Sequence, residues 1–331
     1  MTQKSASDRA NVFLTVRLPE HALDRIETEC NVVTFAGKEM PSKEELIAGI
    51  VEADGLLGSA QLPVDADVLN AAPRLRVVSN FGVGYDNVDL AAAAQRGVIV
   101  CNTPGVLSDA VADLTMGLIL SLARRLPESE RFVREGRWKP GAGMELGTDV
   151  SGKTLGIIGL GRIGVAVARR AQAFSMTVVF HDLFREPPAE VGFSKYREME
   201  ALLRESDFVS LHVNLRPETH HLLGRAQLAL MKPSAFLINT ARGQIVDQSA
   251  LVEALRKGEV AGAALDVFEE EPLPATDPLM ALPNVILLPH IGSASVETRE
   301  AMQDLSIDNL LRALRGERPK AVVNPEVLAQ E

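Results

Sequence analysis

The stretch Thr154–Gly164, TLGIIGLGRIG, decides how the chain is read. An apolar run of strand character closes on Gly159, Gly161 and Gly164, and the RIGVAVARRAQAF that follows has the spacing of a helix burying one face. Strand, glycine turn and helix in that order are the fingerprint of a dinucleotide-binding fold. Gly159 permits the tight turn, Gly161 lets backbone approach a pyrophosphate, and Gly164 lets helix and strand pack closely. The start of the helix, with Arg162 and Ile163, offers amide donors and the positive end of the helix dipole to phosphate. About 20 residues on, where the ribose partner belongs, the next strand-like run ends VVFHD at Asp182. A carboxylate there accepts both ribose hydroxyls and repels a 2′-phosphate, so the expected cofactor is NAD, with NADH favoured over NADPH. Arg185, in HDLFR, is a mild counter-argument because an Arg beside that pocket accommodates a phosphate; as a solvated surface residue it has no such role.

The fingerprint sits near the middle of a 331-residue chain. Single cores stop growing near about 250–300 residues, so two domains are expected. Upstream, NVFLTV, NVVTFA, DGLLGS, LRVVSN and VIVCNT alternate with helix-like stretches, the rhythm of a parallel sheet with crossover helices, and this block ends near Thr103. LSDAVADLTMGLILSLARRL then reads as one long buried helix with Ser108 or Asp109 as its cap. A second alternation runs from Thr154 through TLGIIG, MTVVFHD, FVSLHV, AFLINT, GAALDVF and VILLPH. After Ser293 the chain reads as one amphipathic helix, too isolated to be a domain and expected to pack back on the first block. The expected fold class is therefore α/β with two doubly wound parallel-sheet domains, Rossmann-like or flavodoxin-like. The cofactor domain, 104–293, is inserted into a discontinuous first domain, 1–103 and 294–331.

Composition narrows the partners. The chain is 46% hydrophobic and 24% charged, as a globular protein is. Its 34 basic against 44 acidic residues give a formal charge of -10, which opposes a phosphate-backbone footprint and argues against nucleic acid. The N-terminal MTQKSASDRANVFLTVRLPE lacks the apolar core of a signal peptide, and no run of about 18 apolar residues occurs, so a cytoplasmic protein without a membrane partner is expected. Cys30 and Cys101 lack metal-ligand spacing, are too few for a disulfide framework and read as buried thiols; no metal is expected.

Three segments after the fingerprint place ionisable residues at strand ends: INTARGQIVD with Arg242, LDVFEEEPLP with Glu271 and LLPHIGS with His290. Ligands of open α/β sheets bind beyond the carboxyl ends of the strands, so the three point to one site. Together they suit a 2-oxo acid. Arg presents a planar fork to a carboxylate or polarises the carbonyl, His gives a proton to the oxygen that becomes a hydroxyl, and Glu keeps that His oriented and charged.

In order and spacing, these segments, with NFGVGYDNVD, GVIVCNTPGVLSDAVADLT, MKPSAFLINTARGQIVD and LPHIGSAS, resemble the D-isomer-specific 2-hydroxyacid dehydrogenases over nearly the whole chain. The resemblance implies that Arg242, Glu271 and His290 are the catalytic trio and that the first domain binds substrate, in a cleft between domains. It also implies that the FGVG loop offers the Val83 and Gly84 amides to the substrate carboxylate, in keeping with the anion affinity of successive N–H groups. Thr115, Thr240, Ala241, Asp266 and Gly292 join the expected cofactor contacts.

Within the family, NTPGVLSDAVADLT and GRW look most like glyoxylate and hydroxypyruvate reductases, homodimers in which a Trp of this arm reaches the partner's substrate pocket; here that is Trp138, the single tryptophan. Asp113, where Glu is commoner, and Asn214, where Pro is usual, depart from the pattern. The implied activity is NAD-dependent reduction of glyoxylate to glycolate or hydroxypyruvate to D-glycerate. The alternatives are a related D-2-hydroxyacid dehydrogenase acting on D-lactate or 2-ketogluconate, a phosphite dehydrogenase, or an NADH-sensing corepressor-like binding protein.

Overall fold

The computed structural model of the chain describes residues 9–183 and 185–329. The opening residues of the N-terminal stretch read above, and the Phe184 of HDLFR, lie outside them. The chain divides into two compact units, one running to Leu107 and resuming at Ser295, the other Ser108–Ala294.

The first unit begins with five strands, β1 (Ala10–Leu14), β2 (Cys30–Thr34), β3 (Gly55–Ser59), β4 (Val77–Phe81) and β5 (Ile99–Cys101), joined by helices α1 (Glu20–Glu27), α2 (Lys43–Ile50), α3 (Ala66–Ala71) and α4 (Leu90–Gln95). All strand pairs are parallel, in the order β2-β1-β3-β4-β5, the flavodoxin-like winding. The inner strands β1, β3 and β4 are largely buried because both faces are covered, whereas the edge strand β2 leaves Val33 exposed. Phe13, Leu56, Val78 and Val100 point to the core that holds Leu46, Ile50, Val68 and Ala93, whereas Val12, Leu14, Leu57 and Val77 point to the other.

The second unit opens with α5 (Ser108–Ala123) and α6 (Leu126–Arg134). The long helix read from the sequence over 107–126 is α5, which ends at Ala123, and α6 is a second helix beyond it. Arg125 turns left-handed at φ 52°, and Pro127, which suits a helical first turn, starts the second. Ser108 and Asp109 stand inside the first turn of α5 rather than capping it. Then follow β6 (Thr154–Ile158), α7 (Arg162–Ala173), β7 (Thr177–His181), β8 (Lys195–Tyr196), α8 (Met199–Glu205), β9 (Phe208–Leu211), α9 (Arg225–Leu228), β10 (Phe236–Asn239), α10 (Gln248–Lys257), β11 (Gly262–Leu265) and β12 (Val285–Leu287). Their order, β12-β11-β10-β9-β6-β7-β8, is the dinucleotide-fold winding with one further strand. The strand order reverses between β6 and β9, which sets a crevice at the carboxyl ends of those two strands. Again two cores flank the sheet: Leu155, Ile157, Val178, Phe180 and Ile238 on one side, Ile158, Val179, Val209, Leu211 and Leu237 on the other.

The closing helix, α11 (Val296–Leu314), belongs to the first unit, where Ile307, Leu310 and Leu311 fill the core beside Leu14, Leu57 and Val77. It buries polar residues as well as an apolar stripe. The Ser306 carbonyl accepts from Ser79 Oγ at 2.8 Å, and Asn309 Nδ2 donates to the Asn102 carbonyl at 3.1 Å. Among the described residues no helix is long and apolar enough to cross a membrane.

Candidate active site

The glycine turn after β6 has the geometry its three residues predict. Gly159 is left-handed at φ 95°, and a Cβ there would lie 2.7 Å from the His212 carbonyl carbon at the end of β9. A Cβ at Gly164 would lie 2.1 Å from the Gly159 carbonyl oxygen, so a side chain would force α7 off β6. At Gly161 a Cβ would meet nothing within 4 Å, leaving the backbone open to a ligand. Arg162 and Ile163 stand in the first turn of α7, the former exposed, the latter half-buried. Asp182, just past β7, accepts from Leu160 N–H with one carboxylate oxygen at 2.6 Å, which ties it to the turn. An open glycine, helix amides and a carboxylate on one turn fit the pyrophosphate and ribose of a dinucleotide. Arg185 is engaged elsewhere, 3.1 Å from Glu198 and 5.1 Å over the Tyr196 ring.

Arg242, Glu271 and His290 follow the carboxyl ends of β10, β11 and β12, which are adjacent in the sheet, with Asn239 opposite Leu265 and Leu265 opposite Leu287. Glu271 Oε2 lies 2.7 Å from His290 Nδ1, and Glu271 Oε1 accepts from Phe268 N–H at 3.0 Å. Both carboxylate oxygens are thereby directed, and Nε2 on the opposite edge of the imidazole faces away from the pair. His290 has φ 54°, a left-handed backbone that a non-glycine residue keeps only when its surroundings hold it there. Asp266 does the holding: its two oxygens accept from Ile291 and Gly292 N–H, each at 2.7 Å. Burial raises the Asp266 carboxyl, and these amide bonds offset only part of the rise. Arg242 Nη1 donates to the Ala241 carbonyl at 2.8 Å, and Asn239 braces the same turn, donating to the Arg242 carbonyl at 2.8 Å and accepting from Ala241 N–H at 3.0 Å. Thr115 of α5 and Thr240 are buried together, their hydroxyls 3.1 Å apart.

In the first unit the loop after β4 carries Val83 and Gly84. Asn102 Nδ2 donates to the Val83 carbonyl at 2.8 Å and Asn80 Nδ2 to the Gly84 carbonyl at 3.2 Å, while Asn80 and Asn87 hold each other at 2.8 Å. Among the described residues the N–H groups of Val83 and Gly84 donate to no protein acceptor, so this is a loop with unspent donors, as an anion needs. The asparagines that set it were not among the residues singled out from the sequence. Nor was Asn239, although all three asparagine turns share a signal, a polar residue closing an apolar strand run (VVSN, IVCN, FLIN).

Trp138 is 74% exposed, on an arm that also exposes Leu126, Val133 and Leu146. Asp113 pairs with Arg170 at 2.6 Å and Asp109 with the same guanidinium at 3.0 Å, fastening α5 to α7. The Asn214 carbonyl accepts from Thr219 Oγ1 at 2.7 Å in an exposed turn.

A sheet of this winding, with a dinucleotide cradle at its switch point and an imidazole–carboxylate pair beside an arginine at neighbouring strand ends, defines a nicotinamide-dependent oxidoreductase. The family model described as "D-isomer specific 2-hydroxyacid dehydrogenase, NAD binding domain" matches residues 116–292, and the chain belongs to that family. It is 47% identical over 323 residues, 97% of each chain, to the glyoxylate reductase of Korarchaeum cryptofilum. Among solved structures it is similar to a glyoxylate reductase from Paecilomyes thermophila, with 31% identity, a TM-score of 0.88 and coverage of 96% and 99% of the two chains. It is also similar to an NADPH-dependent glyoxylate/hydroxypyruvate reductase from Sinorhizobium meliloti in complex with NADP and malonate, with 36% identity, a TM-score of 0.86 and coverage of 96% and 97%.

Proposed function

We propose that the chain reduces small 2-oxo acids with NADH, glyoxylate to glycolate and hydroxypyruvate to D-glycerate, as a cytoplasmic homodimer. Residues 104–293 form the NAD-binding domain, and 1–103 with 294–331 the substrate-binding domain. The observation that carries the reading is the 2.7 Å contact between His290 Nδ1 and Glu271 Oε2, on the unit that also holds the glycine cradle. The glyoxylate reductases among the relatives supply the substrate class.

When bound, the reduced nicotinamide supplies a hydride. Gly159, Gly161, Gly164 and the first turn of α7, with Arg162 and Ile163, hold its pyrophosphate, Asp182 the ribose, and Thr115, Thr240, Ala241, Asp266 and Gly292 complete the contacts. Glu271 accepts from Nδ1–H of His290 and turns the opposite ring nitrogen to the substrate, so that in the imidazolium form the Nε2 proton goes to the carbonyl oxygen and leaves His290 neutral. Arg242 turns its planar fork to the carboxylate and carbonyl of the acid, and the Val83 and Gly84 amides take the carboxylate. Fixing the acid in this way supplies much of the rate, because a misplaced carbonyl loses the approach to the hydride. Trp138, exposed on its arm, reaches the substrate pocket of a second copy.

The S. meliloti neighbour is NADPH-dependent, whereas Asp182 favours NADH. Consumption of NADH and of NADPH, each against glyoxylate, hydroxypyruvate, pyruvate and 2-ketogluconate, with phosphite in reverse, tests the reading. Glyoxylate or hydroxypyruvate with NADH is expected to give the highest kcat/KM. A preference for NADPH removes the role of Asp182, and oxidation of neither coenzyme by any of these acids removes the function. Light scattering at assay concentration is expected to report a dimer; an active monomer would exclude Trp138 from a partner's pocket.

A further inference from the structure

The loops bearing Arg242 and Glu271 are tied together at an acidic side chain that the proposed chemistry does not use. We propose that Glu269 is a positioning residue, holding the loops that follow β9, β10 and β11 in one register; this rests on Arg242, Glu271 and His290 being the reacting groups.

A single oxygen does most of the work. Glu269 Oε1 accepts from His221 Nε2–H at 2.8 Å, on the loop after β9, and from Gln248 N–H at 3.1 Å, at the start of α10 where the loop after β10 ends. The backbone of Glu269 repeats the connection. Its N–H donates to Gln248 Oε1 at 3.2 Å, and its carbonyl accepts from Gln244 Nε2 at 2.9 Å. Gln248 Nε2 continues to Asp277 Oδ2 at 2.8 Å, at the far end of the Glu271 loop. Close beside this brace the two loops touch backbone to backbone, since a Cβ on Gly243 would lie 1.8 Å from the Phe268 carbonyl carbon. The third loop is stitched in by His221 N–H to the Gln244 carbonyl at 2.8 Å and Leu223 N–H to the Ile245 carbonyl at 3.1 Å. His221 holds a left-handed φ of 50° while its ring reaches Glu269.

Arg242 precedes Gly243 directly and Glu271 lies two residues beyond Glu269, so the brace sets the spacing between the fork and the carboxylate that orients His290. The His221 and Glu269 side chains are 40% and 34% exposed, and a pair that open to water adds little to stability. Its value lies in geometry, where a displacement of about 1 Å costs about a hundredfold in rate.

Glu269→Ala deletes the accepting oxygen; Glu269→Gln keeps one that can take both N–H groups. Both are compared with wild type for NADH-dependent reduction of glyoxylate and hydroxypyruvate, for NADH affinity by fluorescence titration without acid, and for thermal midpoint. The expected result is a loss of about 10- to 100-fold in kcat for Glu269→Ala, with NADH affinity and midpoint nearly unchanged and most of the rate restored in Glu269→Gln. Turnover by Glu269→Ala within about twofold of wild type, or a Glu269→Gln as impaired as the Ala variant, overturns the proposal. If Glu269→Ala does not fold, His221→Phe and Gln248→Leu each remove one arm, and each must lower kcat severalfold at unchanged NADH affinity or the proposal falls. A wild type that oxidises NADH with none of the acids removes the underlying functional reading before any variant is compared.

Discussion

Both units wind a parallel sheet between two cores, and both place their candidate site residues beyond the carboxyl ends of strands, yet they present opposite chemistry there. The seven-stranded unit presents ionisable side chains, one on each turn after β10, β11 and β12. The five-stranded unit presents backbone N–H groups on Val83 and Gly84, whose carbonyls are held by Asn102 and Asn80. A charged side chain acts where the sequence puts it. A pair of available amides has to be made available by residues elsewhere, Asn102 lying 19 positions from Val83. Damage to the first kind of site should therefore appear in the chemical step, and damage to the second in capture of the acid and in stability.

The largest effects are expected in the side-chain unit. His290→Gln should lose about 100- to 10,000-fold in kcat at every pH, because no group replaces the proton donor. Arg242→Lys keeps the charge but loses the fork, and should lose several kcal/mol, roughly, in kcat/KM. Steady-state kinetics with glyoxylate decides, and near-normal turnover by either variant removes that residue from the mechanism. In the amide unit, Asn80→Leu or Asn102→Leu should cost about 1 kcal/mol of stability by leaving a half-buried carbonyl without its partner. KM for the acid should rise while NADH affinity holds. A fall in kcat at constant KM would erase the distinction between the units.

Asp182→Ser should weaken NADH by about 1–2 kcal/mol and narrow the gap to NADPH, since a hydrogen-bonding charge that repels a 2′-phosphate is gone. Titration of both coenzymes measures it, and an unchanged ratio refutes the assignment.

The gentlest contrast is in pH. Burial lowers His212, in the seven-stranded unit, from 6.5 to about 3, and raises Cys30 and Cys101, in the five-stranded unit, from 9.0 to about 11 and about 12. A depressed imidazole contributes stability that is present above its unfolded value and lost as pH falls from about 6.5 toward 3. A raised thiol contributes stability that is present below about 9 and lost as pH rises beyond it. Each slope is at most about 1.4 kcal/mol per pH unit and group. Denaturation across both ranges should show the acid slope flattened by His212→Asn and the alkaline slope by Cys30→Ala with Cys101→Ala; slopes indifferent to these changes would show that other groups carry them.

How much of this was legible followed the range of the interactions. The glycine turn, Asp182 and the run of strands could be read because each is a pattern within a few residues, and the winding then brought Arg242, Glu271 and His290 to adjacent strand ends. β8 was missed because Lys195–Tyr196 is too short to make an apolar run, and α6 because it restarts directly after α5 at an Arg125 whose left-handed conformation its side chain does not announce. Nothing in the run FEEEP sets Glu269 apart from its acidic neighbours, since its partners His221 and Gln248 lie 48 and 21 positions away. The asparagines at the ends of β4 and β10 and just past β5 were visible as polar residues interrupting apolar strands, but which carbonyls they hold is decided only by the fold.

The central claim is that His290, oriented by Glu271, gives the proton in reduction of a 2-oxo acid. Its most direct test is kcat/KM for glyoxylate reduction against pH, for wild type and Glu271→Gln, with deuterated NADH used to show that chemistry limits the rate. Deleting the carboxylate charge removes the partner that orients the His290 proton donor, so the Glu271→Gln profile should lie well below that of wild type at every pH. Superimposable profiles for the two proteins would contradict the account.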